Sequence, residues 1–256
     1  MDPYTISEME EELTSQREEL TAAMEHVQNQ NQELENQLNI SRKRQAELDE
    51  IIYRFHHDLK SPLSTLAGLF SISEHMERDE FISKAKSCVS SMQQNLDAVI
   101  RFSNSLRIPK QIEELQIETL DNDIRTWFTE KFSLNNSNLH LHFENGVSIP
   151  MSQDHFLTAL KELIRNSVVF QSQKVNVKVK TNSKYLLLEI IDNGMGMDKD
   201  VLKRCTEMFY KGSSLSKGMG LGLYIVENVI SIYNGEIQIM SKPEIGTTVF
   251  IQVPLP

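Results

Sequence analysis

Cysteine is scarce: Cys88 and Cys205 are the only two in 256 residues, far apart and without metal-ligand spacing. That argues against a disulfide framework or a cysteine metal site and fits two thiols in a reducing compartment. Long apolar runs are missing as well. None approaches the ~20 residues of a membrane span, and the acidic N-terminus is unlike a signal peptide. Basic charge is short, 26 Lys and Arg against 36 Asp and Glu, and the net charge of -10 argues against a nucleic-acid partner. Glycine and proline are absent from residues 4–61, so nothing there breaks a helix. What is present suffices for a core: 39% of the chain is hydrophobic and 24% charged, which excludes wholesale disorder. The acidity is uneven, with 13 acids and 4 bases in residues 1–50 and near neutrality beyond.

The glycine-free stretch has a seven-residue rhythm. Ile6, Leu13, Leu20, Val27, Leu34, Leu48 and Phe55 share one register, position d, broken only at Ser41. Position a is then Arg17, Met24, Asn31, Leu38, Gln45, Ile52 and Leu59. Apolar residues every 3.5 positions predict a coiled coil, and Asn31 at a favours a parallel dimer in fixed register. A single long helix packed on its own protein is the alternative. Pro62 follows the heptads and bends a helix without necessarily ending it. Glu74–Asp79 reads as a turn with Asp79 as N-cap. Ile82, Ala85, Val89, Met92, Leu96, Val99, Ser103 and Leu106 then form the apolar face of a second, antiparallel helix closed by Pro109. Two such hairpins predict a four-helix bundle.

From about 115 onward the pattern changes. Strand-like runs lie at 139–143, 175–180, 185–191, 236–240 and 247–253, with helical patterns at 121–132, 153–170 and 221–233. A mixed sheet with helices on one face, an α/β sandwich, is expected. Trp127 and Phe128 fall at core positions of the first helix.

Two constellations carry chemistry. His57, Asp58, Ser61 and Pro62 form the first. His57 falls at f, facing solvent, and His56 at e, half-buried in the expected bundle. Asp58 orients the imidazole and accepts its Nδ1 proton, leaving Nε2 as nucleophile. Ser61 adds a hydroxyl one helical turn on, and Pro62 deprives the Asp58 carbonyl of its helical donor. An ordinary solvated surface histidine is the alternative. The second constellation is Asn166, then Asp192-Asn193-Gly194-Met195-Gly196, then Gly218-Met219-Gly220-Leu221-Gly222, with Asn166, Asp192 and Gly218 each 26 residues apart. A glycine-rich turn before a helix offers N–H groups to phosphates. The Asn166 amide oxygen suits Mg²⁺, and the Asp192 carboxylate suits the exocyclic amine of adenine. Leu223 stands where GxGxxG needs glycine, and no GxxxxGK[ST] occurs.

In this order the motifs resemble those of sensor histidine kinases, over about residues 45–256. His57–Pro62 is similar to the H-box, Leu163–Ser167 to the N-box, Asp192–Gly196 to the first glycine box, Phe209–Gly212 to the F-box and Gly218–Leu223 to the second glycine box. The resemblance implies an α+β multidomain protein. Its parts would be a coiled-coil signalling helix (1–44), a dimerisation and histidine-phosphotransfer hairpin (45–108), and an ATP-binding α/β sandwich (109–256) of the gyrase, heat-shock chaperone, histidine kinase and MutL superfamily. His57 would be the phosphoacceptor, Asp58 its general base and Asn166 the Mg²⁺ ligand. Ser61 stands where Thr or Asn more often supports phosphatase activity. Asp192 would read adenine in ATP, with Gly194, Gly196, Lys211, Gly218, Gly220, Gly222 and Leu223 shaping the pocket. The segment from Asp198 to Lys217 resembles the ATP lid.

Partners implied are a second copy, a response-regulator receiver domain and an upstream input domain, for a cytoplasmic fragment compatible with a membrane anchor elsewhere. Departures from the family pattern are Glu162 at the outer N-box position, Val169 in place of a lysine, and Thr206 in place of an F-box aromatic. They motivate two other readings: a dimeric nucleotide-binding signalling scaffold with weak or no kinase activity, and an ATPase in which Glu162 activates water.

Overall fold

With no proline or glycine between Pro3 and Pro62, a single helix forms, α1 (Pro3–Ser71), and Pro62 lies inside it without ending it. The computed structural model describes residues 3–107, 117–132, 137–144, 146, 147, 149–213, 215, 216 and 218–255. For 3–15, 18, 117 and 118 it describes the backbone alone. The expected closure at Pro109, the lid end at Lys217 and the Ile6 and Leu13 side chains lie outside the described residues. The chain divides into two compact units, residues 1–54 and 55–256.

The first unit is helical, laced on its surface by i,i+4 pairs such as Gln37–Glu33, Gln45–Asp49 and Lys43–Glu47, each worth a few tenths of a kcal/mol. Its described a and d residues Leu20, Met24, Val27, Leu34 and Leu38 are all exposed.

In the second unit α1 ends at Ser71, a 3-10 turn covers Ser73–His75, and α2 runs Arg78–Ser105. The N-cap of α2 is Glu77, without a side-chain cap bond, and not Asp79. Asp79 sits in the first turn, where its charge favours the positive helix end. The face that α2 buries also differs from the expected one. Cys88, Asn95 and Phe102, seven apart, together with Ala98 and Ser105, are buried, whereas Ile82, Val89 and Leu96 stay exposed. The helix is apolar on two sides, and one side is left uncovered within the chain.

The remaining elements are α3 (Ile117–Phe132), β1 (Asn138–Phe143), α4 (Gln153–Val169), β2 (Lys174–Thr181), β3 (Tyr185–Asp192), α5 (Lys199–Arg204), α6 (Gly222–Ile232), β4 (Glu236–Lys242) and β5 (Gly246–Pro254). The sheet order is β1-β2-β3-β5-β4, parallel only between β1 and β2. Period-two alternation sends Val175, Val177 and Val179, Leu186, Leu188 and Ile190, and Val249, Ile251 and Val253 to one face. There they meet Leu160, Leu163 and Ile164 of α4 and Val226, Val229 and Ile230 of α6. Each such burial contributes about 1.5–3 kcal/mol. Trp127 and Phe128 pack against this core, as their helical spacing predicts. Short α5 is not foreseen from periodicity; Asp198 caps it by accepting from the N–H groups of Asp200 and Val201.

The C-terminal turns of α2 are docked on α4 and α6. Phe102 is buried and stacks on Tyr224 with ring centroids 6.1 Å apart. Close by, His155 of α4 is buried, its Nδ1 2.9 Å from the Tyr233 hydroxyl, which also accepts from the Ser152 N–H. Burial pulls the His155 imidazole below its ordinary value of 6.5, although backbone acceptors at Asn104 and Arg107 oppose it. The unfolded chain therefore takes up a proton at a pH where the folded chain does not. The contribution is fully present above pH 6.5 and declines as pH falls below it. The urea midpoint should drop more steeply below pH 6.5 in the wild-type chain than in His155→Gln; identical slopes would remove His155 from the pH dependence.

Candidate functional site

Helix α1 presents His57 to solvent with 74% of its side chain exposed, and its Nδ1 lies 3.2 Å from Asp58 Oδ1. A carboxylate at that nitrogen holds the tautomer with the proton on Nδ1 and leaves the Nε2 lone pair outward. His56, expected to be half-buried, is exposed as well; among the described residues none covers it, and the Asp58 contact is what sets His57 apart. Ser61 is also exposed, and its carbonyl accepts from the Thr65 hydroxyl at 3.0 Å. The Asp58 carbonyl, robbed of its helical donor by Pro62, accepts from Nδ2 of Asn95 at 3.2 Å.

The second constellation is built where the ends of β3 and α4 meet the start of α6. Asp192 closes β3, half-buried. Its Oδ1 accepts from the N–H groups of Gly194 (2.9 Å) and Thr247 (3.2 Å), and its Oδ2 from the Ser167 hydroxyl (3.0 Å). Asn193 has a structural job, its side-chain oxygen accepting from the Ser172 hydroxyl and the N–H groups of Gln173 and Lys174. Gly196 adopts φ +65°, and a Cβ there would strike the Lys242 carbonyl, so only glycine lets the two segments approach. Gly194 lies against the Phe170 carbonyl and Gly220 against Phe209 and Tyr210, while Gly218 faces open space.

Gly222 is where the pieces converge. A Cβ there would lie 3.1 Å from Asn166 Oδ1 and 3.2 Å from Glu162 Oε2. Its absence leaves a cradle between an amide, a carboxylate and the first turn of α6. No side chain caps that helix end, so its first N–H groups are free of a side-chain acceptor and open to an anionic ligand. The Leu223 side chain packs against the core, which leaves its backbone to serve the site. Lys211 is exposed beside Tyr210, over whose ring the Arg204 guanidinium stacks at 4.4 Å.

Glu162 is 2% exposed. Its Oε1 lies 2.5 Å from Arg101 Nε and 2.7 Å from Arg165 Nη1, close charge contacts and not aligned hydrogen bonds. Burial pulls the Arg101 guanidinium below its usual value, with Glu162 opposing. A separate depression of about 410 Å³ lies on the outer face of the sheet, lined by Lys174, Asn176, Met240 and Thr248. It also touches Asp192, Asn193, Lys242 and Thr247, but neither Asn166, Glu162 nor Gly222, so the cradle lies elsewhere.

The structure thus groups Asn166, Asp192 and the glycines in one region and His57, Asp58 and Pro62 in another. Sequence reasoning missed Asn95, Arg101, Ser167 and Thr247, all of which act across long separations. Ser167, directly after Asn166, is the one with a local signal. Gly222→Ala should fill the cradle and weaken nucleotide affinity on the order of tenfold, given the ~1–3 kcal/mol cost of overpacking. Titration with a fluorescent nucleotide, with circular dichroism to confirm the fold, measures this; unchanged affinity would place the phosphates elsewhere.

Residues 151–256 match the family of histidine kinase-, DNA gyrase B-, and HSP90-like ATPases. Over 225 residues the chain is 26% identical to the sensor histidine kinase YvrG of Bacillus subtilis, covering 82% of this chain and 39% of that protein. The Acinetobacter baumannii histidine kinase AdeS shares its fold with a TM-score of 0.59 at 17% identity, over 77% of this chain and 97% of that one. Full-length ShkA in complex with AMPPNP gives a TM-score of 0.56 at 15% identity, over 80% of this chain and 45% of that one. At such identities the solved structures speak to the fold alone. That fold, the ATPase-family match over residues 151–256 and the sequence relatives all support a sensor histidine kinase.

Proposed function

We propose that the chain phosphorylates its own His57 at Nε2 from Mg-ATP and passes the phosphoryl group to an aspartate on a response-regulator receiver domain. The observation that carries this is His57 itself: solvent-facing, with a carboxylate at Nδ1, in the same compact unit as the glycine-bounded cradle. The Nε2 lone pair attacks the γ-phosphorus, the N–P bond forms as the bond to ADP breaks, and the Nδ1 proton of the resulting imidazolium passes to Asp58 or water. The N–H groups at the start of α6 offset charge on the phosphates, and the rest of the catalysis is positioning. The AMPPNP bound by ShkA supports ATP as the nucleotide.

The residues fit Mg²⁺. The Asn166 oxygen borders the cradle, and among the described residues no cluster of three or more His, Cys, Asp or Glu forms a protein cage. A hard cation there would take most ligands from phosphate and water, and when bound it supplies charge neutralisation. Asn166 would hold it, and Asp192 would hold the adenine amine. Glu162, which the ATPase reading requires as a base, is engaged by two arginines, and this weighs against that reading.

The partner copy in this reading covers the exposed stripes. Leu63 and Phe70 on α1 and Ile82, Val89 and Leu96 on α2, each set seven apart, are what a dimeric four-helix bundle buries. The exposed heptads of the first unit fit a parallel coiled coil continuing upstream as a signalling helix toward an input domain. Residues 1–44, 45–108 and 109–256 are the functional divisions. Among the described residues no helix is long and apolar enough to cross a membrane.

Radiolabelled ATP followed by acid separates the possibilities. Acid-labile label on the wild-type chain, lost in His57→Gln and substantially kept in His56→Gln, is expected. Free phosphate in place of label would indicate an ATPase, and neither product a scaffold. Sedimentation should show a dimer that Leu96→Glu dissociates with helicity retained; a variant still fully dimeric would move the interface off this stripe.

A further inference from the structure

We propose that Asn95 is a positioning residue for the phosphoacceptor: its side-chain amide replaces the backbone donor that Pro62 removes and fixes the turn bearing His57 and Asp58. The inference rests on the reading of His57 as the acceptor. In an α-helix the carbonyl of residue 58 accepts from the N–H of residue 62, and a proline at 62 has none to give. That carbonyl is not left to solvent. Asn95, 37 residues away on α2, reaches it with Nδ2 at 3.2 Å. Because a carbonyl only accepts, the amide must point its nitrogen there.

Position 95 is otherwise a place for an apolar side chain. It shares the inward face of α2 with Cys88, Ala98 and Phe102, and Asn95 is itself 5% exposed. A buried amide without a partner costs free energy that an apolar residue does not. The Asp58 carbonyl is the acceptor it meets, and the placement makes sense through that bond. The same residue, Asp58, carries the carboxylate at Nδ1 of His57. Rotation of the peptide at 58 therefore moves the orienting carboxylate and the adjacent imidazole together. Proline leaves this turn free to open, and Asn95 closes it from the neighbouring helix. Since reacting atoms must come within about 3–3.5 Å, misplacement near 1 Å costs on the order of a hundredfold.

The proline supplies the test. Pro62→Ala restores an N–H that can donate to the Asp58 carbonyl, which makes the amide redundant. Asn95→Ala should lower the autophosphorylation rate about tenfold or more with the KM for ATP unchanged. In the Pro62→Ala background the same change should cost less than about twofold, a coupling that a double-mutant cycle isolates. Asn95→Leu keeps the volume without the donor; it should behave like Asn95→Ala and covers the case in which the smaller residue fails to fold. Nitrogen-15 spectra of the His57 ring give a readout independent of phosphorylation. Loss of the amide should shift the tautomer away from Nδ1–H, and Pro62→Ala should restore it. Equal losses in both backgrounds, or an unchanged His57 tautomer in Asn95→Leu, would make Asn95 a packing residue and overturn the proposal. Absence of label on wild-type His57 would overturn the kinase reading instead, and the ring spectra would still decide whether Asn95 orients His57.

Discussion

A carboxylate almost wholly removed from water must be met by positive charge, and Glu162 is such a carboxylate. Truncating one partner of a pair like this typically costs about 3–5 kcal/mol, because the other is left buried and unmatched. Two arginines meet the demand. Arg165 comes from the same helix, Arg101 from α2, so the burial of one side chain ties a helix of the hairpin to the helix that carries Asn166. The Phe102–Tyr224 stack belongs to the same docking, since Phe102 directly follows Arg101 on α2. Glu162 Oε2, on the other side of that carboxylate, borders the space left by Gly222. The neutralisation of one buried charge thereby shapes both the seat of α2 and the edge of the cradle at Gly222.

What the sequence reveals and what it hides divide by range. The five strands stand within two residues of where alternation places them, because one sheet face is buried and every second residue must be apolar. The glycine boxes are legible for a steric reason confined to a few residues: Gly196 sits where a Cβ would collide, and Gly222 where one would be crowded. In α2 the apolar count chose the stripe through Val89 and Leu96, while the chain packs the stripe through Cys88, Asn95 and Phe102. Apolarity marks a face as destined for cover without saying whether the cover comes from the same chain. Asn95 and Arg101 could not be found by hydrophobicity, since their value lies in partners brought near by tertiary folding. Short α5 is too brief for periodicity, although Asp198 two residues before Asp200 is a local cap signal.

Under the proposed reading of the nucleotide site, the Asp192 carboxylate has a consequence for which nucleobases the region tolerates. Two backbone N–H groups hold one oxygen and the Ser167 hydroxyl the other, so the group is pinned on three sides and cannot turn. A carboxylate whose oxygens already accept from donors offers further acceptor lone pairs only. Whatever lodges against its remaining lone pair must bring the hydrogen. A ring bearing an amine at that point completes the set, whereas a ring bearing a keto oxygen sets one acceptor against another and leaves both unpaired away from water. Discrimination of this kind works by refusal, and penalties for unmatched buried polar groups make it far stricter than any pocket that sorts by size.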